Sequence, residues 1–506
     1  MTASSHLQRL NEAQRQAACF GERRNGGPFT AQALLVIAGA GTGKTNTLAH
    51  RVAQLVIEGV DPARILLLTF TRRAALEMTR RAERIVGETL HHGRSAAVRL
   101  PWSGTFHSIA NRLLREYAQA LGMAPDFSVI DRGDAADLID LLRHERGLSA
   151  QKRRFPRKDT CLAIYSHRVN GGRALEDVLH EGFPWCEEWV EELRGLFREF
   201  VDRKQANAVL DYDDLLLYWH ALMQEQALAA EVGARFDHVL VDEYQDVNRL
   251  QADIVLSLKP GGAGITVVGD DAQAIYSFRA ASVGNILEFP DRCEPRASVI
   301  ALERNYRSSQ PLLDAANALI AGAGRQYRKT LTAARGSGAR PRLVTVLDDR
   351  QQADYIVQGV LQRREAGTLL RRQAVLFRSS DHSDWLEIEL MRANIPYVKY
   401  GGLRFLEAAH VKDLLAVLRW ADNPKNGLAA FRVLQLPAGM GPANAARVWQ
   451  CVAAAGYRLT ELAACDVPAA TEESWPAFCE MLAVLADPRA AWPGQVECVR
   501  AWYEPQ

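Results

Sequence analysis

Residues 34–45 read Leu34-Leu35-Val36-Ile37-Ala38-Gly39-Ala40-Gly41-Thr42-Gly43-Lys44-Thr45. An apolar run leads into a glycine-rich loop, and the residues after it predict a helix that continues through Val52 and Leu55. Glycines allow the backbone to curl so that its N–H groups point at phosphate oxygens, at the positive end of the helix dipole. The pattern matches G-x-x-x-x-G-K-[ST] except in its first position, where Ala38 replaces glycine. The stretch therefore predicts a phosphate-binding loop in an α/β core.

Two side chains of this loop carry the predicted chemistry. Lys44 is placed to reach the β and γ phosphates of ATP, and the Thr45 hydroxyl to ligate Mg²⁺. The residues predicted to cradle the nucleotide are Ala38, Gly39, Ala40, Gly41, Thr42, Gly43, Lys44 and Thr45. The alternative is a glycine turn that precedes Lys-Thr by chance, and the strand before the loop and the helix after it argue against that alternative.

A second apolar run, Val239-Leu240-Val241, ends in the acidic stretch Asp242-Glu243-Tyr244-Gln245-Asp246. In nucleotide-hydrolysing motors the first carboxylate at such a strand end holds Mg²⁺, and the second orients and deprotonates the attacking water. Strands often end in Asp, so the acid pair alone is a weak signal. Together with the loop at 34–45, it predicts that Asp242 binds Mg²⁺ and that Glu243 is catalytic.

Composition narrows the class of protein. A chain of 506 residues is too long for a single core. The 61 basic and 60 acidic residues give a net charge of +1, so any nucleic-acid contact must use local patches. No signal peptide and no apolar run of membrane-spanning length is present, and the eight cysteines form no C-x-x-C pair. We expect a cytoplasmic protein that does not enter a membrane, with reduced thiols and no zinc site.

Strand-like runs alternate with helical patterns along the chain. The runs are 65–70, 239–241, 265–268, 299–302, 342–346 and 374–377. This alternation favours parallel sheets of the nucleotide-binding α/β type. The separation between Lys44 and Asp242 is longer than one sheet needs, and the residues within it are mostly helical in pattern. A helical domain inserted into the first core is therefore expected at about residues 93–224.

Further motifs follow in order at residues 10–14, 65–71, 104–108, 211–216, 267–279 and 302–309. With the phosphate loop and the acid pair, they resemble superfamily 1 DNA helicases of the UvrD/Rep/PcrA group from about Leu10 to the end of the chain. The resemblance implies an α/β fold of two RecA-like P-loop NTPase cores, the second incomplete, each with a mainly helical inserted domain. The implied domains are 1–92 with 225–283 for the first core, 93–224 for its insertion, 284–401 for the first part of the second core, and 402–506 for the second insertion.

The resemblance also implies roles at the nucleotide. Gln14 would read the adenine edge, and Tyr306 would stack against adenine. Gln273 would approach the γ-phosphate, and Arg307 would project onto it from the second core, where it stabilises charge in the transition state. The implied catalytic set is Lys44, Asp242, Glu243, Gln273 and Arg307.

Six residues are implied as DNA contacts: Phe70, Thr105, His107, Tyr276, Phe278 and Arg279. Aromatic side chains at strand ends suit sequence-tolerant stacking on single-stranded bases, at about 1–3 kcal/mol per base. The family usually has Trp where Phe278 lies, so less ring area is available here. The alternatives stay open: the aromatic side chains can pack in a core edge, and His107 can be a surface histidine.

Two other blocks have both a functional and a structural interpretation. Gly439-Met440-Gly441-Pro442 resembles the hairpin that relatives use against a duplex backbone, and the alternative is a turn between two helices. The carboxylates of Asp211, Asp213 and Asp214 resemble a metal site. We interpret them as helix-capping and loop groups, because an ATP site needs no second metal there.

The resemblance implies an ATP-dependent DNA helicase or translocase with ATP hydrolysis stimulated by single-stranded DNA. It implies 3′→5′ movement, a role in DNA repair or replication, and action on single-stranded DNA and on junctions with duplex. Two later family motifs, Thr-x-His-x-x-Lys-Gly and Val-Thr-Arg-Ala, are missing between Leu403 and Gln506. We therefore expect a truncated helicase, or half of a split one whose partner chain supplies these motifs. The alternative function is a catalytically impaired ATP- and DNA-binding fragment.

Overall fold

The structure, a computed structural model, describes residues 6–23, 27–90, 99–148, 153–277, 280–400, 409–487 and 494–504. The chain divides into two compact units. The first comprises Met1–Ala339, Asp422–Ala430 and Ala453–Arg458, and the second comprises Arg340–Ala421, Phe431–Val452 and Leu459–Gln506. Every helix in the described ranges is too short or too polar to cross a lipid bilayer.

All strands of the described residues lie in the first unit. They are β1 (Glu22–Arg23), β2 (Phe29–Thr30), β3 (Leu34–Ala38), β4 (Ile65–Thr69), β5 (Ser103–Thr105), β6 (Ser128–Val129), β7 (Val209–Leu210), β8 (His238–Val241), β9 (Ile265–Gly269), β10 (Ser298–Leu302), β11 (Arg304–Asn305) and β12 (Thr332–Ala333). Six of them form one parallel sheet in the order β10-β3-β9-β8-β4-β5. The predicted α/β fold with a parallel central sheet is confirmed.

Helices make up most of the remaining regular structure. They are α1 (Glu12–Cys19), α2 (Lys44–Ile57), α3 (Arg72–Leu90), α4 (Phe106–Tyr117), α5 (Arg132–Glu145), α6 (Lys158–Gly171), α7 (Leu175–Gly182), α8 (Val190–Ala206), α9 (Tyr212–Leu222), α10 (Gln226–Ala234), α11 (Arg249–Leu258), α12 (Val283–Glu288), α13 (Gln310–Ile320), α14 (Asp349–Glu365), α15 (Asp384–Arg392), α16 (Ala409–Asp422), α17 (Gly427–Val433), α18 (Pro442–Ala454), α19 (Trp475–Leu485) and α20 (Gly494–Tyr503).

The central sheet is covered on both faces, which explains its continuous apolar strands. Successive residues of a strand point to opposite faces. Leu34 and Val36 accordingly pack in a core with α2 and α3. Leu35 and Ile37 pack in a second core with α4, α9 and α11. Strands buried on both faces read as unbroken apolar runs, as in β3 and β4. This layering brings the carboxyl ends of the parallel strands to one edge, where ligands of such sheets bind.

Behind the phosphate loop, α2 buries a histidine pair. The His50 ring stacks on His6 with centroids 5.6 Å apart and an interplanar angle of 7°. Burial and the neighbouring His6 lower the pKa of His50 from 6.5 to about 4. Between pH 6.5 and pH 4, His50 is therefore protonated in the unfolded chain but stays neutral in the folded chain. Because only the unfolded chain binds this proton, the folded state loses stability as the pH falls from 6.5 to 4.

The variant His50→Phe keeps a stacked ring but cannot titrate. We expect its thermal midpoint to fall less steeply than that of the wild type between pH 6.5 and pH 4, with the two profiles parallel above pH 6.5. His144→Phe, the same substitution at an exposed histidine, is the matched control. Parallel profiles of His50→Phe and wild type across the acid range would contradict the assignment.

The helical insertion has its own hydrophobic core. Its buried residues run from Ile130 to Val209 and come from α5 to α8. The structure differs from the expected range of about 93–224 near both ends. Ser103–Thr105 forms the edge strand of the central sheet, and Phe106 of α4 and Trp219 of α9 pack in the core of that sheet. Helical periodicity could not distinguish helices that cover the sheet from helices that pack on each other.

The acidic block at the start of α9 is a helix cap. The Asp211 side chain accepts a hydrogen bond from the backbone N–H of Asp214 at 2.8 Å, and Asp214 accepts one from the N–H of Asp211 at 3.0 Å. Asp213 accepts hydrogen bonds from Ser166 and Asn170. Capping boxes of this kind satisfy N–H groups that a helix start leaves open. The interpretation of these carboxylates as capping and loop groups is confirmed.

The strand-like run at 299–302 falls within the range 284–401 that is expected for the second core, but the structure places it in the central sheet. β10 pairs in parallel with β3 along its whole length, from Ser298 opposite Leu34 to Leu302 opposite Ala38. The boundary at residue 284 is therefore too early. β11 and β12, which follow β10, also lie in the first unit. Strand pairing over more than 250 residues of chain leaves no local signal in the sequence.

The second unit is helical in its described part. Ala353 and Val357 of α14 pack against Leu386 and Leu390 of α15. The strands predicted at 342–346 and 374–377 do not form, and Leu343 and Leu376 are 98% and 93% exposed. A strand needs a neighbour to satisfy its backbone groups, and the described residues of this unit offer none.

Two cysteines depart from the expectation of scattered reduced thiols. Cys451 at the end of α18 and Cys465 form a disulfide, with Cα atoms 6.2 Å apart. The pair spans a turn of only 14 positions, so local chain reversal brings the two residues together. The other described cysteines are free thiols, mostly buried.

Candidate active site

The phosphate loop has the backbone that its sequence predicts. Gly41 and Gly43 have φ angles of 79° and 89°, a region that residues with a Cβ avoid. α2 begins at Lys44, and its cap Gly43 offers no side chain to the first N–H groups of the helix. The positive end of a 14-residue helix is thus open beside the loop. This geometry suits a bound polyphosphate.

Two of the predicted catalytic charges, on Lys44 and Glu243, lie together. The Lys44 ammonium is 2.7 Å from Oε2 of Glu243, and the Lys44 side chain is only 9% exposed. Gln245 donates a second hydrogen bond to the same carboxylate oxygen at 2.9 Å. Glu243 has φ 50° and ψ 48°, a left-handed conformation that is strained for a residue with a side chain. This backbone aims its carboxylate at the loop.

Asp242 has the features of a cation ligand. Its backbone N–H donates to the carbonyl of Leu68 at 2.9 Å, which fixes it at the end of β8. The carboxylate is 4% exposed, and its Oδ1 has no hydrogen-bond partner among the described residues. Burial, followed by the charge of Glu243, raises the pKa of Asp242 to about 7. A divalent cation would offset this cost, so Asp242 and the half-buried Thr45 of α2 fit Mg²⁺.

Gln14 and Tyr306, the two predicted adenine contacts, meet at the loop. The Gln14 side-chain amide donates to the carbonyl of Thr42 at 2.8 Å. The Tyr306 N–H donates to the carbonyl of Gly41 at 2.9 Å, and its hydroxyl accepts a hydrogen bond from Asn11 at 3.0 Å. Gln14 also caps α1 together with Asn11. One side of the loop is therefore bounded by Gln14 and Tyr306.

Asn305 was not assigned a role from the sequence, yet it holds the Arg307 segment on the loop. It is 1% exposed, and its amide donates to the carbonyl of Ala40 at 2.5 Å. Its oxygen accepts from the N–H groups of Arg307 and Ser308, both at 2.8 Å. The exposed Arg307 guanidinium has no hydrogen-bond or ion-pair partner among the described residues. The one feature of the sequence that could have indicated Asn305 is its position, because it is an amide side chain between the end of a strand and the start of a helix.

A chain of hydrogen bonds joins the ends of β8 and β9. Gln245 donates to Glu243 and accepts from the backbone N–H of Asp270 at 3.0 Å. Gln273 in turn donates to the Asp270 carboxylate at 2.5 Å. The predicted catalytic residues Glu243 and Gln273 are thus linked through two intervening residues, by the side chain of Gln245 and by the backbone N–H and carboxylate of Asp270.

Three of the six predicted DNA contacts lie in two aromatic pairs. Phe70, which follows β4, and Tyr276, which follows β9, have ring centroids 5.0 Å apart and are both half-buried. His107 of α4 packs edge-to-face on Tyr212 at 5.5 Å. Tyr212 was not singled out from the sequence, although it is an exposed aromatic residue within the acidic block. Each pair presents ring surface to solvent at or near the carboxyl edge of the sheet.

The remaining three predicted contacts differ in status. The Thr105 hydroxyl caps α4, where it accepts from the N–H of Ser108 at 3.3 Å. Phe278 and Arg279 lie outside the described residues.

At 439–442, Gly439 has φ 85° in a turn before α18, as expected of a hairpin between helices.

Comparison with known proteins identifies relatives of this arrangement. Residues 10–294 match the UvrD/REP helicase N-terminal domain, and residues 300–481 match the UvrD-like helicase C-terminal domain. The chain is 34% identical over 419 residues to the ATP-dependent DNA helicase PcrA of Staphylococcus epidermidis, and 32% identical over 419 residues to that of Staphylococcus aureus. Both alignments cover 82% of this chain and 55% of the relative, so the chain spans about half the length of these relatives. The chain belongs to the UvrD/REP family of DNA helicases.

Proposed function

We propose that this chain is an ATP-driven DNA motor whose hydrolysis of ATP is stimulated by single-stranded DNA and which moves 3′→5′. The hydrogen-bond chain from Glu243 through Gln245 and Asp270 to Gln273 supports this proposal. Tyr276 follows three residues later and packs on Phe70. A single segment thus joins the nucleotide end of the sheet to the half-buried aromatic pair.

The side chains divide the hydrolytic step between them. Lys44 and the open N–H groups of α2 bind the phosphates. Glu243 orients a water molecule and takes its proton as the water oxygen attacks the γ-phosphorus and ADP leaves. The exposed Arg307 guanidinium neutralises charge on the γ-phosphoryl oxygens. Mg²⁺, held by Asp242 and Thr45, would supply further neutralisation of the β and γ phosphates when bound.

Coupling to DNA follows from the position of Gln273. Its amide donates to the Asp270 carboxylate, and a γ-phosphate would compete for the same donor. A shift of Gln273 moves the segment that carries Tyr276, and with it the stacking surface for bases. The sites of action that we propose are single-stranded DNA and its junctions with duplex, in cytoplasmic DNA repair or replication. The Gly439 turn supports the contact with duplex backbone.

Displacement of streptavidin from biotinylated oligothymidine tests the motor and its direction. We expect ATP-dependent displacement from the 5′ end that exceeds displacement from the 3′ end, and no displacement by Lys44→Ala. Faster displacement from the 3′ end would overturn the polarity. Displacement by Lys44→Ala would show that another enzyme in the preparation causes it.

A second function is favoured by one observation in the second unit. The apolar runs at 342–346 and 374–377 expose Leu343 and Leu376 almost fully and have no strand partner among the described residues. A chain with such a surface would bind ATP and DNA without unwinding, or would act as half of a split helicase whose partner chain supplies strands and a second catalytic arginine. Binding of nucleotide and oligothymidine without displacement from either end would favour this function.

A further inference from the structure

A buried lysine outside the phosphate loop contacts the segment that carries Gln273. Lys329 lies before β12, and its side chain is 4% exposed. Its ammonium is 2.8 Å from Oδ1 of Asp270 and 2.5 Å from Oδ1 of Asp271. Both carboxylates are also almost fully buried, at 3% and 2% exposed. These three side chains form what we call the Lys329 clamp.

Charge balance makes Lys329 necessary for this pair. Two adjacent carboxylates in a poorly solvated place repel each other, and each loses its hydration. Among the residues that the structure describes, Lys329 is the one cation within ion-pair distance of either group. Without it, one carboxylate must take up a proton or move towards water. Either change alters the hydrogen bonds that the pair makes.

The clamp acts on Gln273 through Asp270. The second oxygen of Asp270 accepts from the Gln273 amide at 2.5 Å, and Oδ1 also accepts from the N–H of Ala272 at 3.2 Å. Lys329 therefore orients the carboxylate that orients Gln273. The second oxygen of Asp271 accepts a hydrogen bond from the backbone N–H of Tyr327 at 2.9 Å. This contact fixes the backbone two residues before Lys329 to the loop that carries Asp270 and Asp271.

The clamp also connects Gln273 to the segment of Arg307. β12, three residues after Lys329, pairs with β11, which contains Asn305. Asn305 binds the phosphate loop at the carbonyl of Ala40. Residues 304–333 are thus attached at one end to the phosphate loop and at the other to the Gln273 loop.

We propose that Lys329 is a positioning residue for ATP hydrolysis, which holds Asp270 and thereby sets the direction of the Gln273 amide and its response to nucleotide. The role rests on the proposed DNA-stimulated hydrolysis. Lys329 touches no reacting atom, and its effect reaches the γ-phosphate through Asp270 and Gln273.

The variant Lys329→Met keeps the length of the side chain and removes its charge. We expect its turnover at saturating oligothymidine to fall by about 10- to 100-fold, the size of effect produced by misplacing a catalytic group by about 1 Å. The dissociation constant of an ATP analogue that is not hydrolysed should stay within about threefold of the wild type, because the phosphate loop is untouched. Lys329→Arg keeps the charge and should recover most of the turnover.

Two further variants distinguish a positioning role of Lys329 from a role in folding. Arg325→Met removes a cation four positions away, from an exposed pair with Glu288, and should turn over ATP as the wild type does. If Lys329→Met does not fold, the double variant Lys329→Met/Asp271→Asn takes its place in the assay. The double variant leaves only the carboxylate of Asp270 buried without a cation. Wild-type turnover in the lysine variant would overturn the proposal. Loss of turnover matched by an equal loss of analogue binding would also overturn it, because the clamp would then only support the site.

Amide hydrogen exchange distinguishes failure of this inference from failure of the proposed function. In the wild type, the ATP analogue should slow exchange of the amides at 270–277, and in Lys329→Met this protection should be lost. A wild type without DNA-stimulated turnover would refute the proposed function, while loss of protection in the variant would still support the clamp. Equal protection in both chains would refute the clamp, whatever the turnover.

Discussion

Glu243→Gln is expected to lower the rate of ATP hydrolysis by about 10²- to 10⁴-fold, the contribution of a positioned general base. The glutamine keeps the shape of the side chain and can still accept a hydrogen bond from Lys44, but it cannot take the proton of the attacking water. The carboxylate lies 2.7 Å from the Lys44 ammonium, where it would compete with a bound phosphate. Removing its charge should therefore leave ATP binding unchanged or make it tighter.

Single-turnover hydrolysis and equilibrium binding of ATP to the same variant measure the two effects separately. Glu288→Gln provides the matched control, because Glu288 forms an exposed ion pair with Arg325 and has no role in the proposed step. Hydrolysis by Glu243→Gln within twofold of the wild type would exclude Glu243 as the base.

Lys204→Met is expected to destabilise the helical insertion by about 3–5 kcal/mol, the usual cost of removing one partner of a buried ion pair. The Lys204 ammonium is 2.6 Å from Asp211 and 2.7 Å from Asp214, and all three side chains are buried. Burial alone would lower the pKa of Lys204, but the two carboxylates outweigh it and hold the pKa above its ordinary value. The ammonium also lies 4.2 Å from the centroid of the Phe200 ring. Without the cation, two carboxylates remain buried at the start of α9.

Native-state hydrogen exchange of α8 and α9 measures this loss, since a chain of two units need not unfold in one step. Arg203→Met is the neighbouring control: its ion pair with Glu145 is partly exposed at both ends and should cost about 0–1 kcal/mol. Equal opening free energies for the two variants would show that Lys204 contributes no more than a surface charge.

The sequence predicted those parts of the site that depend on local pattern. Glycines at Gly41 and Gly43 and the acid pair after β8 each follow an apolar strand, and parallel strands bring such ends to one edge. Contacts between distant parts of the chain left no comparable signal. Asn305 on the carbonyl of Ala40 and Lys329 on Asp270 are buried polar contacts that only the fold reveals.

The difference between local pattern and distant contacts also explains where the fold departs from the sequence-based expectations. The run at 299–302 is strand-like, but which sheet it joins depends on β3, far upstream. The runs at 342–346 and 374–377 have strand-like composition, yet they form no strand, because a strand is stabilised by its neighbours as much as by its own residues. Composition therefore predicted where strands are possible and could not predict their pairing.

In the proposed motor, the segment from Asp270 to Tyr276 joins the nucleotide site to the surface that binds single-stranded DNA. Phosphate release by the 506-residue chain, measured as oligothymidine is added, tests it most directly. We predict that the rate rises with DNA concentration to a plateau, and that Lys44→Ala releases no phosphate at any concentration. A rate that is the same without DNA and at saturating DNA, in a chain that binds both ligands, would contradict the account.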